Sequence, residues 1–156
     1  MSIALNQPVP AFEAQATSGV TVDSKELGGQ HYVLYFYPKD NTPGCTTEGQ
    51  DFRTHHDAFA AANTRIFGVS RDSLRTHENF RKKQDFPFEL ICDADEKLCS
   101  LFDVIKMKQM YGKEYEGIER STFLVDAEGV LRGEWRKVKV KGHVLEVLEA
   151  AQQLPA

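Results

Sequence analysis

Apolar positions concentrate first in "HYVLYFY", an almost unbroken run from His31 to Tyr37 that Pro38 closes. So short a run, apolar on both alternating faces, predicts a strand buried on both sides and therefore central in a sheet. After Cys45 the period changes. Phe52, Phe59 and Ala62 recur at helical spacing among charges up to about Asn63, and "RIFGVS" then reads as a second buried strand. Asp72 and Ser73 offer N-caps for a helix carrying Leu74, His77 and Phe80, which should stop before Pro87. "FELI" supplies a third strand, and "DADEKLCSLFDV" places a capping Asp ahead of a short helical stripe of Leu98, Leu101 and Phe102. "STFLVD-AEG-VLRGEW" predicts two strands joined by a short Gly-containing turn. "GHVLEVLEAAQQL" closes the chain with Val144, Leu145, Leu148 and Ala151 at helical spacing. The sum is an α/β layer fold, a mixed sheet flanked by helices whose last strand pair is antiparallel.

Length and charge narrow the functions this fold can serve. At 156 residues, with no repeat, low-complexity tract or Pro/Gly/Ser linker, the chain reads as one domain over residues 1–156. Hydrophobic residues make up 41%, charged residues 27%, and the net charge is -4, which argues against nucleic acid or an anionic membrane as the main partner. The one basic cluster, "WRKVKVKGH" from Trp135, alternates with Val138 and Val140 as a half-exposed strand would, and His55 and His56 read as solvated helix face. "MSIALNQPVPAFEA" has neither a basic n-region nor a long apolar core, so no signal peptide or transmembrane span is expected and a cytoplasmic location is the default. Three cysteines are too few for a disulfide-stapled scaffold. Cys92 and Cys99, six residues apart, miss the spacing of a zinc knuckle. The thiols are either core filler or chemistry.

Cys45 stands where the buried strand has ended, a Pro-Gly turn intervenes and a helix begins. Amides without intrahelical partners converge there, and the positive end of the helix dipole favours the thiolate, the nucleophilic form of cysteine. An inert buried cysteine is the competing reading. Thr42, three residues earlier, has a hydroxyl that can donate to a thiolate and accept from a second donor, although a plain turn or cap residue would look the same. "TPGC" looks like a CxxC redox turn whose first cysteine has become a hydroxyl. A dithiol turn exchanges disulfides, whereas one activated thiolate beside a hydroxyl suits attack on something else.

"PKDNTPGC" fits the peroxiredoxin pattern P-x-x-x-T-x-x-C through Pro38, Thr42 and Cys45. The fuller "YFYPKDNTPGCTTEGQDF", with "GIERSTFLVDAEGVL" and "WRKVKVKGH" downstream, resembles the bacterioferritin comigratory protein, or Q-type, subgroup from about Leu5 to Leu148. The resemblance implies a thioredoxin-like fold, a monomer, and reduction of hydrogen peroxide or organic hydroperoxides without metal, haem or flavin. It makes Cys45 the peroxidatic thiolate and Thr42 a hydrogen-bond partner of the sulfur and the substrate oxygen. Pro38 would shield the pocket from water, Arg120 would be the active-site arginine, and Glu48 the acid that orients it.

Two positions depart from the subgroup. Many of its members carry a resolving cysteine five residues after the peroxidatic one, and others carry it in the following helix; this chain has Gln50 and Arg81 there. The expectation is a one-cysteine cycle in which an external thiol, from glutathione with glutaredoxin or from thioredoxin, reduces the sulfenic acid. Cys92 and Cys99 are the internal alternatives. A thioredoxin-like disulfide oxidoreductase would need a second thiol where Thr42 stands. A non-enzymatic redox-regulated binding protein or chaperone would not need Cys45.

Overall fold

The computed structural model describes residues 3–155. Strands β1 (Glu13–Gln15) and β2 (Thr21–Asp23) form a small antiparallel hairpin ahead of the main sheet. Strand β3 (His31–Phe36) is buried at every residue. Tyr32, Leu34 and Phe36 enter one core, while Val33 and Tyr35, with Tyr37 beyond the strand end, enter the other. That is the two-sided burial its apolar run predicts, realised through the two-residue period of a strand.

Helices α1 (Pro43–Thr54) and α2 (His56–Ala61) follow, then β4 (Thr64–Ser70), α3 (Leu74–Gln84), β5 (Glu89–Cys92) and α4 (Lys97–Leu101). The chain continues through β6 (Ile105–Met110), β7 (Lys113–Ile118), β8 (Ser121–Val125), β9 (Leu131–Trp135) and α5 (His143–Gln152). The central sheet runs in the order β5-β4-β3-β8-β9. The first three strands are parallel; β8 is antiparallel to β3 and β9 to β8, giving the mixed sheet of a thioredoxin-like fold. On one face lie Phe52, Phe59, Phe80, Val144, Val147 and Leu148 of the flanking helices. The other is covered by Phe12, Val22, Leu27, Leu98, Phe102 and Ile118. Among the described residues no helix is long and apolar enough to cross a membrane.

Five local expectations need correction. The helix expected to run to Asn63 breaks at His55, whose φ of -102° and ψ of 10° end α1. Phe52 and Phe59 pack together across the break with ring centroids 5.7 Å apart, so their spacing reads as one helix when it is two, and His55 and His56 sit half-buried at the junction. In α3, His77 and Phe80 are buried but Leu74 is exposed. In α5 the core-facing set is Val144, Val147, Leu148 and Ala151, while Leu145 is 54% exposed. Beyond Trp135 the basic segment keeps alternating exposure but joins no strand ladder; the Val138 amide instead donates to the Arg120 carbonyl at 3.0 Å.

Candidate active site

The loop after β3 reaches α1 through Thr42, an extended N-cap residue, with Pro43 at the first helical position, where its missing N–H costs nothing. The buried stripe of α1 is Cys45, Glu48, Gly49 and Phe52. A glutamate therefore occupies a core-facing position one turn after the cysteine. Its side chain is 0% exposed, and burial is tolerated because Arg120 Nη1 donates to Glu48 Oε1 at 2.7 Å. The same guanidinium donates through Nη2 to Cys45 Sγ at 3.3 Å. Arg120 thus bridges carboxylate and sulfur.

The sheet brings these groups together. Antiparallel pairing of Phe36 with Ser121 leaves Arg120 at the edge where β3 runs into the Cys45 loop. The Arg120 carbonyl is held by Val138, which gives the basic segment after Trp135 a place in the site's architecture. Gly44 makes the approach possible: a Cβ there would lie 3.1 Å from Arg120 Nη2, closer than ordinary packing allows.

Electrostatics follow from the burial. Desolvation raises the Glu48 pKa to about 7 despite Arg120, because only Oε1 is paired and Oε2 has no hydrogen-bond partner among the described residues. Burial works against the Arg120 charge, but Glu48 and Cys45 more than offset it and hold its pKa above the ordinary value. Tyr35, stacked on Phe52 at 4.5 Å, is a buried phenol whose hydroxyl has no hydrogen-bond partner among the described residues; burial first, and then Glu48, push its pKa well up. Burial and Arg120 push Lys108 of the β6–β7 hairpin down, placing a second cation within the field of the site.

Cys45, Glu48 and Arg120 form one hydrogen-bonded unit. Thr42 is half-buried, and its hydroxyl donates to the Lys39 carbonyl at 2.8 Å rather than to the sulfur, which leaves its oxygen able to accept. Pro38 is half-buried at the start of the same loop. From sequence, Gly44, Tyr35 and Lys108 have no expected role at the site. The first stands inside the "TPGC" turn, and only the close approach of Arg120, 76 positions on, gives it meaning.

A thioredoxin-like sheet with one buried thiol at a helix start, held against a guanidinium, defines a thiol-based redox protein. The AhpC/TSA family model matches residues 5–134. The sequence is 51% identical to Peroxiredoxin Bcp of Bacillus subtilis over 154 residues, covering 99% of this chain and 98% of that protein. Peroxiredoxin Q of Xanthomonas campestris superposes with a TM-score of 0.86 at 51% identity, covering 90% of this chain and 89% of that one. A further X. campestris structure, of the bacterioferritin comigratory protein, has a TM-score of 0.86 at 50% identity with 90% of each chain covered, and concerns the alkyl peroxide reduction activity of that protein. The chain belongs to the AhpC/TSA family, among its Bcp, or Q-type, peroxiredoxins.

Proposed function

We propose that this peroxiredoxin reduces hydrogen peroxide and organic hydroperoxides at Cys45 and is recycled by an external thiol. The carrying observation is the Arg120 guanidinium, hydrogen-bonded to both Cys45 Sγ and the buried Glu48 carboxylate. The Cys45 thiolate attacks one peroxide oxygen, the O–O bond breaks, and sulfur is oxidised to sulfenic acid. The departing oxygen takes a proton and leaves as water or an alcohol. Negative charge moves from sulfur toward that oxygen in the transition state, so a fixed cation beside the sulfur stabilises it with little reorganisation. Glu48 holds the guanidinium in place. Thr42, with its hydrogen committed to Lys39, can accept the hydroperoxide O–H, and Pro38 limits water at the same loop.

Recycling by an external thiol is supported by where the other side chains lie. Gln50 donates to Gln84 at 2.9 Å, and Arg81 donates to the Phe88 carbonyl at 2.9 Å while facing Glu89, so neither position offers sulfur. Cys99 is buried in the core on the sheet face opposite Cys45, and burial and a bond to Asp93 push its thiol pKa up. Cys92 ends β5, the edge strand of the sheet, two strands from β3. Cys45 and Cys99 lie on opposite sides of the sheet, so a bridge between them, which needs Cα atoms within about 7 Å, requires the fold to open. Glutathione with glutaredoxin, or thioredoxin, then resolves the sulfenic acid through a mixed disulfide.

Replacing Cys45 with Ser should abolish peroxide consumption while leaving the far-ultraviolet circular dichroism unchanged. Wild-type consumption in a folded Cys45→Ser protein would refute the proposed reaction.

A further inference from the structure

Behind the loop that carries Pro38 and Thr42 lies a buried polar network outside the Cys45–Arg120–Glu48 unit. Asp40 is the one loop residue between Pro38 and Thr42 whose side chain is buried; Lys39 and Asn41 are exposed. Its Oδ1 accepts from the Tyr37 hydroxyl at 2.6 Å, and its Oδ2 lies 2.6 Å from His77 Nδ1 on α3. Its backbone amide donates to Asp72 Oδ2 at 2.9 Å, which also accepts from Ser70 Oγ at 2.5 Å at the end of β4. His77 Nε2 lies 2.9 Å from the Ile91 carbonyl of β5. A carbonyl can only accept, so Nε2 carries a hydrogen, and the contact between Nδ1 and Oδ2 holds a second proton. The Asp40 and His77 side chains are both 0% exposed.

This arrangement ties one loop residue to β4, α3 and β5 at once. Burying a carboxyl and an imidazole is costly unless each polar atom is satisfied, and here both carboxyl oxygens and both ring nitrogens are. A structural pin alone could be apolar. What the network fixes is a loop whose Asn41 has a positive φ of 66° and whose Lys39 carbonyl receives the Thr42 hydroxyl. The position of Thr42 relative to Cys45 therefore depends on Asp40.

We infer that Asp40 and His77 are positioning residues for peroxide reduction: their buried pair sets the Pro38–Thr42 loop, and through it the Thr42 hydroxyl, where the hydroperoxide must bind. The inference rests on Cys45 being the peroxide-reactive thiol. It separates two properties of Cys45, because the Thr42 hydroxyl bears on how peroxide is oriented while the Arg120 guanidinium bears on the sulfur.

Two rates measured on the same thiol distinguish these properties: stopped-flow oxidation by hydrogen peroxide, and alkylation by iodoacetamide at the same pH. In Asp40→Asn and His77→Gln the peroxide rate is expected to fall about tenfold to a hundredfold, the usual consequence of misplacing a reacting group by around an ångström. The alkylation rate should hold. A merely structural network would leave both rates unchanged in a folded variant, and that result would overturn the inference, as would a parallel fall of both rates. Should the two variants misfold, Tyr37→Phe removes one hydrogen bond to Asp40 and keeps the ring packing. It is expected to lower the peroxide rate alone, and an unchanged rate there overturns the inference. Loss of the peroxide signal in a Cys45→Ser control secures the underlying reaction, so failure of the positioning role is distinguishable from failure of the reaction itself.

Discussion

Glu48 has one oxygen on a guanidinium and the other without a partner among the described residues, and this asymmetry makes it a pH-sensitive group of the site. Its folded pKa of about 7 lies above the ordinary 4.5, with burial the leading cause. The folded protein keeps a proton there that the unfolded chain releases, so the contribution to stability is complete below about pH 4.5 and is lost as pH rises through about 7. The loss amounts to about 3 kcal/mol. His143, which faces Thr122 at 2.8 Å, runs the other way: burial and Arg120 push it down to about 4, so its contribution is lost as pH falls below its ordinary 6.5. Both proteins share that term in a comparison of wild type with Glu48→Gln. Urea unfolding at pH 5 and pH 8 should show the wild type losing about 2–3 kcal/mol relative to the variant, whereas parallel changes would contradict the assignment. At this scale the sequence was informative where a residue broke a pattern. Cys45 stood out as a thiol at a helix start, whereas Glu48 was reached only through the family resemblance, and its place on the core-facing stripe of α1 is a finding of the structure. The hydrogen bond of Thr42 to Lys39 was not legible, because a hydroxyl at a turn has several equivalent acceptors.

Helix α1 sits close to the neighbouring core because Gly49 has no side chain: a Cβ there would lie 2.3 Å from Phe86 Cζ. Gly49→Ala is therefore expected to destabilise the protein by about 1–3 kcal/mol, despite alanine's better helix propensity. Denaturant unfolding checks this, and the penalty should shrink in a Phe86→Leu background; equal penalties in both would point away from this contact. The elements read correctly from sequence are those whose burial is periodic, such as β3 with its alternating faces and the β8–β9 hairpin. The β6–β7 hairpin was not read. Its strands are largely exposed, with Met107 60% exposed and lysines among the apolar residues, so no apolar face appears in the pattern. Its signal was the turn itself, where Tyr111 and Gly112 both have positive φ, as a tight hairpin turn requires.

At the scale of the whole molecule, the parallel β3–β4–β5 unit and the antiparallel β8–β9 pair together assemble the site. Cys45 and Arg120 are 75 residues apart in sequence and meet because β8 lies directly beside β3. Spacing along the chain cannot show such a contact. The fold class followed from the order of strands and helices, while the residues of the site followed from the resemblance of "PKDNTPGC" and "ERSTF" to a known pattern. The buried Asp40–His77 pair was only half visible, as a histidine on a core-facing helical stripe whose partner lies 37 residues earlier. The same sheet separates the thiols, with Cys45 and Cys99 in cores on opposite faces and Cys92 at the edge strand. The central claim is that Cys45 is oxidised by peroxide and waits for a thiol from outside. Peptide mass spectrometry of protein given one equivalent of hydroperoxide, with dimedone present to trap sulfenic acid, tests it directly. The expected result is a dimedone adduct confined to Cys45. A Cys45–Cys92 or Cys45–Cys99 bridge formed as fast as the peroxide is consumed, or an unmodified Cys45, would contradict it.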